Sequence, residues 1–202
     1  MGRWNSQNKP AQFKMKTILT FLLFPLAAFA SSPWFLEPTA SEVFPLNGGI
    51  TYHGMQGIVN YRDGYSVGFD VGRYFGPWKL YASYDYTSFQ DRGFTLQTPG
   101  GPIYQGDHSN YNGQTLMANA DYVLPQILFG ITPSFGAGVG RTFDGGDNAA
   151  FEGRLCLRKC FAGFTLSASF ASRFTQGSIT SGHVSINEPR QERLTLKLER
   201  IF

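Results

Sequence analysis

Alternation constrains this chain more than any other feature. Eight segments place apolar and polar residues on opposite sides with a period of two, the repeat of a strand and not of a helix. In residues 65–75, Tyr65, Val67, Phe69, Val71 and Phe75 oppose Ser66, Gly68, Asp70 and Gly72. In 78–89, Trp78, Leu80, Ala82, Tyr84 and Tyr86 oppose Lys79, Tyr81, Ser83, Asp85 and Thr87. Residues 114–124 set Leu116, Ala118, Ala120, Tyr122 and Leu124 against Thr115, Met117, Asn119 and Asp121. The pattern recurs over 128–143, 149–157, 161–174 and 191–202, and more softly over 34–44, where Pro38 interrupts it. Glycine (24 residues) and aromatics (16%) are abundant while charged residues are only 15%, a β-type composition without the collagen period. A mean hydropathy of −0.18 argues against several membrane-spanning helices.

The connections alternate in length. Gly76-Pro77, Pro125-Gln126 and Arg158-Lys159 read as tight turns, whereas 45–64, 90–112, 144–148 and 176–190 are mostly long and polar. Short turns at one end and longer loops at the other describe an up-and-down meander closed into a barrel. An even strand count brings both ends of the meander to the short-turn side.

Residues 1–30 read separately. Lys16 precedes an apolar stretch containing Ile18, Leu19, Phe21, Leu22, Leu23, Phe24 and Leu26, which closes on Ala28-Phe29-Ala30. That order predicts a cleavable secretory signal peptide with cleavage after Ala30, too short in its apolar core to span a bilayer. Residues 1–14 are polar and basic, and Met15 makes the more ordinary start. Met1-Gly2-Arg3-Trp4-Asn5-Ser6 also fits a myristoylation pattern, which the export signal behind it makes a chance match. The segment holds Arg3, Lys9, Lys14 and Lys16 and no acid, so the +3 of the whole chain becomes 13 bases against 14 acids, net −1, over 31–202. A near-neutral remainder gives nucleic acid no footing.

Alternation alone does not say which face of a barrel is inside. The polar face carries Glu37, Asp70, Asp85, Asp121, Glu152 and Glu199 against Lys79, Arg154, Arg158, Arg173, Arg193 and Lys197, equal numbers that a narrow lumen can pair. Trp34, Tyr65, Phe75, Trp78 and Tyr86 fall at strand ends, where interfacial girdles sit. Arg73, Arg141 and Arg200 break the apolar face only near strand ends, where a lipid-facing cation costs little. A membrane barrel with a polar lumen is therefore expected, with a soluble lipocalin-like barrel as the fold alternative.

The last segment, Leu194-x-Leu196-x-Leu198-x-Arg200-x-Phe202, resembles the signal read by the bacterial outer-membrane barrel assembly machinery, with Arg200 where an aromatic is usual. Ile131-Thr132-Pro133-Ser134-Phe135-Gly136-Ala137-Gly138-Val139-Gly140 resembles the fifth-strand motif of the small opacity-type, outer-membrane protein A-like barrels. The resemblance covers 31–202. It implies an all-β, eight-stranded antiparallel transmembrane barrel in the bacterial outer membrane, exported by the Sec pathway and surrounded by outer-membrane lipid and lipopolysaccharide. That fold hosts adhesins, complement-resistance proteins, structural anchors and lipid-modifying enzymes, so the site must decide among them.

Few residues carry a case for chemistry. Gly136-x-Gly138-x-Gly140 lacks the spacing of a nucleotide loop and is read as relief of crowding in the lumen. His183-Val184-Ser185 with Glu188 is tested because outer-membrane lipid A deacylases resemble a small barrel with a His-x-Ser pair and a Glu. In that family the pair ends the seventh strand, where Phe174-Thr175-Gln176 stands here, so a polar loop is the preferred reading. Asp144-Gly145-Gly146-Asp147-Asn148 has oxygens for calcium, but a tight turn demands the same residues. His53 and His108 stand alone. Cys156 and Cys160 flank the Arg158-Lys159 turn, where an oxidising periplasm permits a disulfide.

The expected function is therefore that of a monomeric structural or adhesin-like surface protein, without enzymatic activity, cofactor or metal. Its two longest loops, carrying Tyr52, Met55, Ile58, Val59 and Tyr61, and Phe94, Leu96, Ile103, Tyr104 and Tyr111, would meet host or matrix ligands. A narrow porin or hydrophobic-solute channel is the alternative, followed by a lipid A-modifying hydrolase. Eight strands leave a lumen just wide enough for side chains, which disfavours an open pore.

Overall fold

The computed structural model describes residues 34–105, 110–143, 147–161, 163–181, 184–187 and 190–202. The segment expected to be a signal peptide lies outside them. Among the described residues the chain forms thirteen strands: β1 (Trp34–Pro45), β2 (Gly48–Tyr52), β3 (Met55–Tyr61), β4 (Gly64–Phe75), β5 (Trp78–Thr98), β6 (Gly101–Gln105), β7 (Asn110–Val123), β8 (Ile131–Phe143), β9 (Asp147–Phe161), β10 (Phe164–Gln176), β11 (Ser178–Ser181), β12 (Val184–Asn187) and β13 (Gln191–Ile201).

Eight of these close into a ring in the order β1-β4-β5-β7-β8-β9-β10-β13, with β13 returning to β1 and every neighbour antiparallel. The β5–β7 pairing, from Trp78↔Tyr122 to Gln90↔Asn110, closes what would otherwise be an open sheet. Closure leaves the ring no unpaired edge, which is what a spanning β structure requires where no water can satisfy backbone groups. At the seam the amide of Phe202 donates to the carbonyl of Trp34 (2.9 Å), tying the last residue to the first described strand. The eight alternating segments correspond one to one with the ring strands, and the chain is an eight-stranded antiparallel transmembrane β-barrel.

Two of the three tight turns are placed differently from expectation. Gly76-Pro77 is a two-residue turn, with Gly76 at φ 59°. Arg158-Lys159 is not a turn: β9 runs on to Phe161, which pairs with Phe164, so the hairpin reverses three residues later. The sequence misled here because Arg158 and Lys159 look like turn residues, whereas the strand carries one into the lumen and the other onto the outer face. Nor does Pro125-Gln126 make a tight turn by itself. Seven residues separate β7 from β8, ending in a 3₁₀ turn over Leu128–Gly130 in which Phe129 has φ 61°. Strand β8 therefore starts at Ile131 and not at Leu128.

The long loops also differ from plain hairpin extensions. Strand β5 continues nine residues past Phe89 to Thr98 and joins β6, β3, β2, β12 and β11 in a second antiparallel sheet beyond the barrel mouth. Its core is Ile50, Val59 and Leu96, with Tyr52, Met55, Tyr61 and Phe94 packed against it.

Candidate functional site

The ring strands turn their polar side inward. Glu37, Asp70, Lys79, Asp85, Asp121, Glu152, Arg154, Arg158, Arg173, Arg193, Lys197 and Glu199 are all buried, none more than 8% exposed. The alternate residues face outward and stay open, including Phe69, Val71, Phe135, Leu155 (65% exposed), Phe170 and Leu196. Soluble monomers rarely expose apolar surface of this extent, and such surface marks a membrane or protein contact. Trp34, Phe75 and Trp78 mark its short-turn end and Tyr65 and Tyr86 the other.

The structure sorts the twelve inward charges into two ion-pair clusters of three acids and three bases, each summing to zero. Near the outer mouth Arg173 grips Asp85 with two nitrogens (3.0 and 2.9 Å) and reaches Glu152 with Nε (2.9 Å). Arg193 adds a bond to Asp85 (3.3 Å), and Thr87 donates to the same carboxylate (3.0 Å). Midway, Lys197 pairs with Asp70 (2.6 Å), Arg154 with Asp121 (3.2 Å), and the Tyr81 hydroxyl donates to Asp121 (3.0 Å). Toward the short-turn end Lys79 bridges Glu37 and Glu199 (2.7 Å each), and Arg158 pairs with Glu199 (2.6 Å). Tyr74 donates to Glu199 (2.7 Å) and accepts from Arg158. Burying charge is costly unless each carries partners, and here each does.

Small and aromatic residues make this packing feasible. A Cβ at Gly136 would collide with the Asp121 carboxylate, at Gly138 with the Asn119 amide oxygen, and at Gly140 with the Leu116 carbonyl. The Gly136-x-Gly138-x-Gly140 run thus yields space to the side chains and backbone of β7. Phe35, an aromatic on the polar face, lies under the Lys79 ammonium at 4.1 Å. Its alternation with Glu37 placed it inward, but nothing in the sequence pointed to the cation above it. Tyr74 and Tyr81 were likewise inward by parity without a legible role.

The lumen retains a cavity of about 30 Å³ among Asp70, Asp85, Glu152, Arg154, Arg173 and Lys197, room for no more than one or two waters. Above the charges the outer mouth carries aromatic rings. Phe89, 2% exposed, stacks on Tyr111 (centroids 4.2 Å apart, 12° between planes) and meets Tyr61 edge-on at 5.4 Å. Beyond this cap, the outward side of the second sheet exposes Ile58 and Tyr104, which lie across from Thr95 on adjoining strands.

The other residues singled out from the sequence fare as follows. Cys156 and Cys160 occupy one strand four residues apart, which by strand rise separates their Cα atoms by about 13 Å. A disulfide spans at most about 7 Å, so the expected bridge is excluded, and both are free thiols. His53 sits exposed in the turn between β2 and β3 at φ 48°, its ring 4.5 Å from Tyr52. His108, His183, Glu188 and residues 144–146 of the calcium candidate fall outside the described residues. Ser185 belongs to β12, opposite Thr51 in the second sheet, and not to a barrel strand. Among the described residues no three His, Cys, Asp or Glu side chains gather as metal ligands. Leu194, Leu196 and Leu198 project outward from β13 ahead of Phe202.

Ring closure, inverted polarity and a filled lumen define an outer-membrane-type β-barrel, and one solved structure of that kind shares the fold. Neisserial surface protein A (NspA) matches with a TM-score of 0.51 at 13% identity, over 84% of this chain and 97% of that one. The translocator domain of the autotransporter NalP from Neisseria meningitidis matches at 0.35 and 10% identity, over 93% of each chain. No protein-family description and no curated protein sequence matches this chain.

Proposed function

We propose that this chain is a bacterial outer-membrane surface protein whose barrel is a structural anchor and whose second sheet contacts external ligands. Export by the Sec pathway with cleavage after Ala30, and insertion guided by Leu194, Leu196, Leu198 and Phe202, complete the reading. The short-turn end faces the periplasm and the second sheet faces outward. The observation that carries it is the pairing of a charge-compensated lumen under an aromatic cap with an ordered loop sheet that exposes Ile58 and Tyr104. Twelve mutually paired charges leave no continuous path for a solute, which argues for an anchor over a channel. On this reading the protein acts by contact and not by catalysis. Exposed apolar residues on a rigid sheet are contact residues of the kind that bind protein or matrix surfaces.

Three measurements test it. The protein is expected in the outer-membrane fraction with heat-modifiable gel migration. Planar bilayers containing it should show no stepwise conductance, and discrete steps would move the reading to a narrow channel. Cells displaying the Ile58→Asp, Tyr104→Asp double variant should bind immobilised matrix glycoprotein less than cells displaying the original, at equal surface level. Equal binding would remove the contact role from this sheet.

A further inference from the structure

The two ends of the lipid-facing surface carry different chemistry. At the short-turn end the outward cations are Arg73 on β4, Arg200 on β13 and Lys159 on β9. Each lies against aromatic rings of the girdle: Arg73 over Phe75 (5.2 Å), Arg200 over Phe202 (5.3 Å) and Phe164 (5.7 Å), Lys159 over Phe161 (5.4 Å). Among the described residues no Asp or Glu side chain faces outward at this end. Glu37 and Glu199, the acids at that level, point inward and are held by Lys79 and Arg158. The Nε of Arg73 is buried without a hydrogen-bond partner. At the opposite end several polar groups pair with one another instead. Tyr84 donates to Gln114 (2.9 Å), Tyr86 to Asn112 (2.7 Å), and Arg190 pairs with Glu192 (2.8 Å).

We propose that the short-turn rim is a headgroup site for anionic phospholipid, centred on Arg73 and Arg200 on either side of Trp34. The inference rests on the membrane reading above and adds which lipid the rim selects and where. Strand register supplies the geometry: Arg73 lies opposite Trp34 and Arg200 opposite Leu36, on the two strands that flank β1. Two strand spacings and one outward step put their Cα atoms about 12 Å apart, a gap that two arginine arms close around one phosphate. Both guanidiniums lean past the hydrocarbon band toward the rim, over rings two residues further along their own strands, as snorkelling cations do. Their planar forks suit the paired oxygens of a phosphodiester, the Trp34 ring suits the glycerol level of a bilayer, and two neighbouring guanidiniums with no outward Asp or Glu beside them favour an anionic over a zwitterionic headgroup.

The test uses the full chain with Trp4→Phe and Trp78→Phe, which leaves Trp34 as its only indole. It is refolded into phosphatidylcholine vesicles containing a minor, equal mole fraction of either brominated phosphatidylglycerol or brominated phosphatidylcholine. Brominated phosphatidylglycerol is expected to be about fivefold more effective at quenching Trp34. Adding Arg73→Gln and Arg200→Gln should abolish the difference while heat-modifiable migration persists, and Arg73→Lys with Arg200→Lys should keep most of it. Equal quenching by the two lipids in the chain with both arginines, or a preference that survives the glutamine pair, overturns the headgroup site while leaving the barrel in its bilayer. Quenching by neither lipid overturns the membrane reading and this site with it. Should the glutamine pair fail to fold, the lipid comparison with both arginines present decides alone.

Discussion

Strand β5 passes through two environments. From Trp78 to Phe89 its inward residues are Lys79, Tyr81, Ser83, Asp85, Thr87 and Phe89, and the apolar Trp78 and Leu80 face out. Beyond Arg92 the rule reverses: Leu96 is buried in a hydrophobic core and Gln97 is exposed. The reversal coincides with a β-bulge. Asn60 pairs with Gly93 but Tyr61 with Asp91, so Arg92 is an extra residue on β5, and Gly93 takes φ 102° to admit it. One inserted residue exchanges the faces of a strand. In the barrel the strand is surrounded by lipid and hides its charges; in the second sheet it is surrounded by water and hides its hydrocarbon. The chain thus records the membrane boundary as a change of parity.

If that account is right, charge and hydrocarbon should trade roles between the two regions. The largest effect is expected for Asp85→Ala, which leaves Arg173 and Arg193 buried without their shared carboxylate. Removing one partner of a buried pair costs about 3–5 kcal/mol. Urea unfolding of the vesicle-inserted barrel, followed by tryptophan fluorescence, should show a loss of that size. A loss below about 1 kcal/mol would mean that water screens the lumen as it screens a surface pair. Next comes Leu196→Arg, on the outward face in the middle of β13. A lipid-facing arginine at mid-bilayer costs roughly 2–4 kcal/mol, whereas Arg200, one turn of the pleat from the end of the same strand, is tolerated at the rim. The same urea titration reads it, and an unchanged midpoint would place Leu196 outside the hydrocarbon band.

Much of the barrel was legible in the sequence, because a strand between a lumen and a bilayer alternates along most of its length. Pro38 did not break β1: the register to β13 skips only Glu37 and Pro38 between Leu36 and Thr39, while 34–43 pair with β4 without a gap. The six acids and six bases were legible as a balanced set by parity alone. Which charge meets which was not, because Arg173 and Asp85, or Lys197 and Asp70, approach across the lumen from strands that are not neighbours in the ring. The second sheet was hidden for a different reason. Its strands are short, Gly57 and Gly49 blank two side-chain positions, and the Arg92 bulge breaks the period just where β5 leaves the barrel. Residues 45–64 and 90–112 consequently read as loops. The expected cysteine bridge failed because β9 is longer than its alternation revealed.

The smaller effects sharpen the comparison on the side of the second sheet. Ile50→Val removes one methylene from its core and should cost about 0.5–1.5 kcal/mol. The loss is expected to be local: proteolysis within residues 45–64 should accelerate severalfold while the urea midpoint of the barrel stays put, as for a unit that opens on its own. A parallel fall in the barrel midpoint would show that the sheet and the ring unfold together.

The smallest effect, and the most discriminating, is expected for Ile58→Lys. Ile58 is an outward-facing aliphatic residue, 52% exposed, much like Leu194 at 49% on the barrel. Judged by exposure alone the two positions are equivalent. Judged by surroundings they are opposites, since Leu194 faces acyl chains and Ile58 faces water. Ile58→Lys should therefore change stability by less than about 0.5 kcal/mol, the range of ordinary surface substitutions, while Leu194→Lys should cost more in the same vesicles, by an amount set by its depth. Should Ile58→Lys prove as costly as Leu194→Lys, the second sheet would itself have to lie in lipid, and the bulge at Arg92 would no longer mark the boundary.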